Sequence, residues 1–64
     1  MTNNMKHTKQ MYVVVNENRE PIIRTLSYSP YISQSLHTEN PDLWKHYIDK
    51  GYTVHPVTVT IELP

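Results

Sequence analysis

The chain has 64 residues, six Lys or Arg against six Asp or Glu, one Gly and no Cys. A protein of this length buries only about 60% of the surface its unfolded chain exposes, and without Cys neither a disulfide nor a thiolate metal site can reinforce so small a core. Zero net charge excludes the overall signature of a nucleic-acid binder or a DNA mimic, and no apolar run approaches the ~20 residues of a membrane span.

The opening Met-Thr-Asn-Asn-Met-Lys lacks the apolar segment of a signal peptide, so the sequence predicts a cytoplasmic protein with no membrane association. Residues 1–10 are polar, mildly basic and without apolar periodicity, which predicts a flexible arm preceding a single small domain over residues 11–64. Met11-Tyr12-Val13-Val14-Val15 is a β-branched and aromatic run of the kind that forms a central strand. Asn16 to Glu20 then predicts a hairpin loop with Asn at positions where a left-handed backbone is tolerated, and Pro21 presets an extended exit. From Ile22 to Tyr28 a second strand follows, with Ile22, Leu26 and Tyr28 on one side and Ile23, Thr25 and Ser27 on the other. Arg24 interrupts the first side, as an edge strand allows.

Ser29-Pro30 has the form of an N-cap followed by proline at the first helical position, and Tyr31, Ile32 and Leu36 supply an apolar stripe for a short helix. Asn40-Pro41 repeats that signal, and Asp42 favours the helix dipole. Leu43, Trp44, Tyr47 and Ile48 share one helical face, Gly51 stops the helix, and Tyr52 is placed to close on Tyr47. The last segment alternates apolar and polar residues, but its phase slips at Pro56: Tyr52 and Val54 precede it, Val57, Val59 and Ile61 follow. The slip predicts a β-bulge at His55-Pro56 in an edge strand. The whole predicts an α+β fold: a three-stranded antiparallel sheet of order 2-1-3 with one or two helices on one face.

Chemistry is sparse. His37, His46 and His55 recur at intervals of nine, whereas metal-ligating pairs need three or four residues on a helix and two on a strand; surface roles account for them better. Ser27, Ser29, Ser33 and Ser35 have no base spaced to activate them, so no catalytic residue, metal or cofactor is expected and the protein is read as non-enzymatic. All six aromatic rings, five Tyr and one Trp, carry a polar edge suited to half-buried and interface positions, although in so small a domain most rings are partly exposed anyway. Thr53, His55, Thr58 and Thr60 are short or uncharged and predict a Thr-rich open sheet face; with Tyr12, Arg24 and Tyr28 they form the expected partner-binding set. An ordinary solvated face would carry the same threonines.

The succession of hairpin, Ser-rich short helix, Trp-containing helix, Gly-Tyr-x-Val and Val/Thr strand resembles small accessory proteins of bacteriophages and prophages that act in host takeover. The residues that carry it are Met11 to Val15, Leu26-Ser27-Tyr28-Ser29, Trp44 and Gly51-Tyr52-Thr53-Val54, within residues 11–61. The layout is similar to that of the phage T7 inhibitor of host RNA polymerase; where that inhibitor has arginines in its final strand, this chain has His55, Pro56 and Thr58. The resemblance implies a cofactor-free modulator or inhibitor that acts in the bacterial host cell by occupying a surface of a host protein; the small size of the core, independently, makes a homodimer a further expectation. The alternative is a small nucleic-acid-binding dimer that presents a β-ribbon with Arg19 and Arg24 and the basic arm with Lys6 and Lys9.

Overall fold

The computed structural model describes residues 5–64. Its elements are β1 (Met5–Val15), β2 (Pro21–Ser27), α1 (Pro30–His37), α2 (Pro41–Lys50) and β3 (Thr53–Leu63). All strand pairings are antiparallel and the order is β2-β1-β3, the α+β arrangement the sequence predicts. Local chemistry explains where the helices start and stop. Ser29 accepts a long 3.5 Å hydrogen bond from the Ile32 amide, and Asn40 Oδ1 accepts from the Asp42 and Leu43 amides at 2.9 and 3.3 Å. Helix α2 closes as a Schellman motif: Gly51 sits at φ 108°, its amide donates to the Ile48 carbonyl, and the Tyr52 amide donates to the Tyr47 carbonyl.

Four details differ from the sequence expectation. First, residues 5–10 are strand, paired residue by residue with 58–63, so most of the expected arm is ordered; residues 1–4 lie outside the described residues. A backbone ladder demands little of side-chain hydropathy, which is why polarity misleads here. Second, the left-handed residue of the hairpin loop is Arg19, at φ 63°, whereas Asn16 works through its side chain, Oδ1 accepting from the amides of Asn18 and Glu20.

Third, β3 has no bulge. Its register against β1 runs unbroken from Val15↔Thr53 to Met5↔Leu63, so odd-numbered residues of both strands share one face and even-numbered residues the other. The apolar residues change faces at Pro56 without any inserted residue. The irregularity lies in β2 instead, where residues 23–26 stand opposite Val13 alone, between the pairs Tyr12↔Ser27 and Val14↔Ile22. Thr25, fully buried, bridges the gap: its Oγ1 accepts from the Val14 amide at 2.8 Å and donates to the Ile22 carbonyl at 2.6 Å. A side chain thereby replaces a missing rung of the ladder. The bulge also breaks the alternation expected of β2, because Ile23 and Leu26 now line the same depression.

Fourth, the helices bury less apolar surface than their stripes suggest. In α1 the buried residue is Ser33, while Tyr31, Ile32 and Leu36 are 46–73% exposed; in α2 it is Trp44, while Leu43 and Ile48 are about half exposed. Ser33 fits because it is small and hydrogen-bonded: its Oγ lies 3.0 Å from the Tyr12 carbonyl and 2.7 Å from Ser27 Oγ, which in turn is 2.6 Å from the Ser29 carbonyl. The core proper consists of Val13, Val14 and Trp44 with the polar Thr25, Ser27 and Ser33.

A radius of gyration of 14.4 Å, against about 11 Å for a compact chain of this length, and a long dimension of 53 Å describe an extended molecule. The β1–β3 ribbon, residues 5–10 with 58–63, accounts for the extension, since β2 pairs with β1 only between Tyr12 and Val15.

Candidate functional site

The open face of the sheet is the odd-numbered one. Val13, Pro21, Ile23, Leu26, Val57 and Val59, with Thr58 between the last two, line a shallow depression of about 310 Å³ to which no helical residue contributes. Its origin is the β2 bulge, which brings Ile23 and Leu26 beside the valines of β1 and β3. Ile23 remains 64% exposed. Toward Arg19 and His55 a second depression of about 290 Å³ shares Val13, Pro21 and Val57, and along the ribbon the same face continues through Ile61 and Leu63, 49% and 45% exposed. On this face His7 and Lys9 of β1 stand opposite Ile61 and Val59, so along the ribbon the exposed apolar residues are confined to the β3 side.

The residues expected at a partner surface do not share one face. Thr53 and His55 lie on the open odd face, opposite Val15 and Val13; Thr58 and Thr60 lie on the other, opposite Gln10 and Thr8. The Thr-rich face predicted from a bulge therefore does not exist as one surface, since the unbroken register separates its members. Thr58 is occupied, Oγ1 accepting from Gln10 Nε2 at 3.1 Å. Tyr12 is half-buried on the even-numbered face, and Tyr28, 68% exposed, follows β2.

Arg24 is structural. Its Nη1 donates to the Leu36 carbonyl at 2.7 Å, capping the end of α1, and its Nη2 lies 3.3 Å from His37 Nδ1. A guanidinium can only donate, so His37 Nδ1 accepts and the ring is neutral with its proton on Nε2. That ring is the centre of an aromatic cluster rather than a surface histidine: the Tyr47, Tyr52 and Trp44 ring centroids lie 4.5, 5.4 and 6.3 Å away. Burial, and secondarily the Arg24 charge, hold its pKa below the ordinary 6.5, and its Nε2 is buried without a hydrogen-bond partner. The sequence hides this role because the contacts come from three elements.

Ser27 and Ser33, at 8% and 0% exposure, serve the helix–sheet contact and are not presented to a substrate. A depression of about 470 Å³ where the two helices meet has Glu39 as its one carboxylate. Among the described residues no group of three or more His, Cys, Asp or Glu is placed to hold a metal ion, and no helix is long and apolar enough to cross a membrane. Lys6 and Glu62 form one exposed 4.0 Å ion pair on the ribbon. Compared with protein-family models, with curated proteins and with solved structures, the chain finds no significant match.

Proposed function

We propose that the protein is a non-enzymatic binding module of the phage accessory type, which modulates a host bacterial protein by covering part of its surface with the open sheet face. The observation that carries this reading is the apolar strip from Ile23 and Leu26 through Val57 and Val59 to Ile61. Among the described residues the core has only three buried hydrophobic side chains, which gives the chain reason to bury more apolar surface in a complex. The strip supplies that surface, and Arg19 and His55 at its margin supply part of the polar rim such interfaces use.

The test is capture from a bacterial lysate treated with nuclease, using the full chain and two variants. Ile23→Glu with Ile61→Glu changes exposed residues of the strip and leaves the core intact. The expected result is one stoichiometric protein retained by the wild type, lost by that variant, and retained by Tyr31→Glu with Leu36→Glu on α1. Capture indifferent to the strip variant would remove the proposal.

A second reading is favoured by one observation. The projecting ribbon carries Lys6, His7 and Lys9, and a two-stranded ribbon is a shape the major groove of DNA admits. Its charge is thin, since Glu62 neighbours Lys6 and Arg24 is engaged with α1. This reading requires duplex binding that falls steeply with salt and capture that nuclease abolishes. Binding curves that stay flat at low salt would dispose of it.

A further inference from the structure

We propose that two copies of this chain associate through the free edges of β3, joined antiparallel about a two-fold axis perpendicular to the sheet, to make one six-stranded sheet. The inference goes beyond the proposed host-binding role and needs no host protein.

The order β2-β1-β3 leaves β3 unpaired on one side along its whole length, and 11 residues present about 37 Å of backbone edge. The two free edges of the ribbon differ in how they are guarded. The β1 edge beyond Tyr12 carries Lys6, His7 and Lys9, the kind of charge that discourages strand addition. From Thr53 to Ile61 the β3 edge has no Asp, Glu, Lys or Arg. Pro56 identifies which groups are presented there. A strand tolerates proline where its nitrogen faces away from the ladder, so Thr58, Thr60 and Glu62, which share its parity, direct their amides and carbonyls outward.

The sequence of the edge is complementary to itself. With the axis at Val59, Thr58 faces Thr60 of the second copy, Val57 faces Ile61, His55 faces Leu63 and Glu62 faces Pro56. Thr58–Thr60 and Val57–Ile61 are favourable cross-strand pairs and no two like charges are opposed, although Pro56 has no amide to donate to Glu62 opposite it. The net charge of zero adds no long-range repulsion between copies. Ile61 and Leu63, about half exposed in one copy, gain neighbours from the other, and the apolar strips of both copies end on the same side of the joined sheet. A stable interface takes about 800 Å² from each partner, roughly a sixth of the 4920 Å² of one copy.

Purified full-length chain should shift in sedimentation from 7.6 kDa toward about 15 kDa as its concentration rises. Because the chain has no Cys, single-cysteine variants report the seam without ambiguity. Odd-numbered residues form the non-hydrogen-bonded pairs across this seam, close enough for a disulfide. Val59→Cys should therefore cross-link with itself under mild oxidation, whereas Val57→Cys should do so only when mixed with Ile61→Cys. Thr58→Lys with Thr60→Lys, both at exposed positions, sets ammonium groups opposite one another across the seam and should leave a monomer with an unchanged circular dichroism spectrum. A wild-type chain that stays at 7.6 kDa across the concentration range, self-linking of Val57→Cys as fast as Val59→Cys, or a lysine variant of doubled mass would each overturn the proposal.

Discussion

The base of the molecule and its ribbon are held by different physics. In the base, three short polar side chains, Thr25, Ser27 and Ser33, occupy positions where apolar ones would ordinarily sit, and each is buried because it replaces or completes a backbone hydrogen bond. In the ribbon, Met5 to Gln10 and Thr58 to Leu63 bury no side chain; an uninterrupted ladder and exposed contacts such as Gln10–Thr58 are what join them. The base is thus sensitive to single atoms. The ribbon should tolerate most side-chain changes, while depending on its edges being paired or guarded.

Thr25 is the sharpest place to break the base. Thr25→Val keeps the shape but removes the acceptor of the Val14 amide, in buried surroundings, and the donor to the part-buried Ile22 carbonyl. An orphaned buried group costs about 1–3 kcal/mol, so urea denaturation should show a loss of that order, large for so small a core. An unchanged midpoint would mean that the β2 bulge does not depend on the hydroxyl. Next in size is Gly51→Ala. At φ 108° a Cβ is strained, and it would also stand 3.3 Å from the Glu17 Cβ of the hairpin loop; a loss of about 1–2 kcal/mol is expected, measurable in the same way.

These sites also show what the sequence made legible. Caps are local chemistry, so Ser29-Pro30, Asn40-Pro41 and Gly51 mark both helices, and hydrophobic patterning with one hairpin suffices for the sheet order. The ribbon was hidden because a backbone ladder leaves little trace in residue type. The face of β3 was misassigned because its apolar residues serve two environments, Val54 among the even-numbered residues of the base and Val57 and Val59 under the β2 bulge. From the sequence a change of face looks like an inserted residue. The bulge itself is signalled only by Thr25, one threonine among many, and the contacts around His37 are made by residues distant in the chain.

His37 links stability of the base to pH. With its folded pKa below 6.5, chiefly by burial and then by Arg24, the unfolded chain binds more protons as the medium becomes acid. Its contribution is therefore complete above about pH 6.5, the unfolded value, and is lost as pH falls through the folded pKa. Protonation would also place a charge beside the Arg24 guanidinium and within the Tyr47, Tyr52 and Trp44 cluster. The midpoint of urea unfolding should decline on acidification from pH 7.5, with a smaller decline for His37→Gln. Equal slopes for the two proteins would remove His37 as the cause.

The smallest effect belongs to the ribbon, and its smallness is the point. Lys6 and Glu62 meet at 4.0 Å with side chains 66% and 56% exposed, so solvent screens the pair and its worth is at most about 0.5 kcal/mol. Glu62→Gln should leave the denaturation midpoint within error, and amide exchange at Lys9 and Val59, which face each other inside the β1–β3 ladder, should be unchanged at fixed protein concentration. If the ion pair instead held the ribbon together, both amides would lose protection together with the charge. Dilution is the complementary perturbation, because it alters no residue. The outward amides of Thr58 and Thr60 should exchange faster in a dilute sample if a second copy covers them, while the base amide of Val14, closed by Thr25 within one chain, should not respond. A ribbon whose protection follows concentration and ignores its one ion pair is ordered by strand pairing; a ribbon that does the reverse is ordered by its charges.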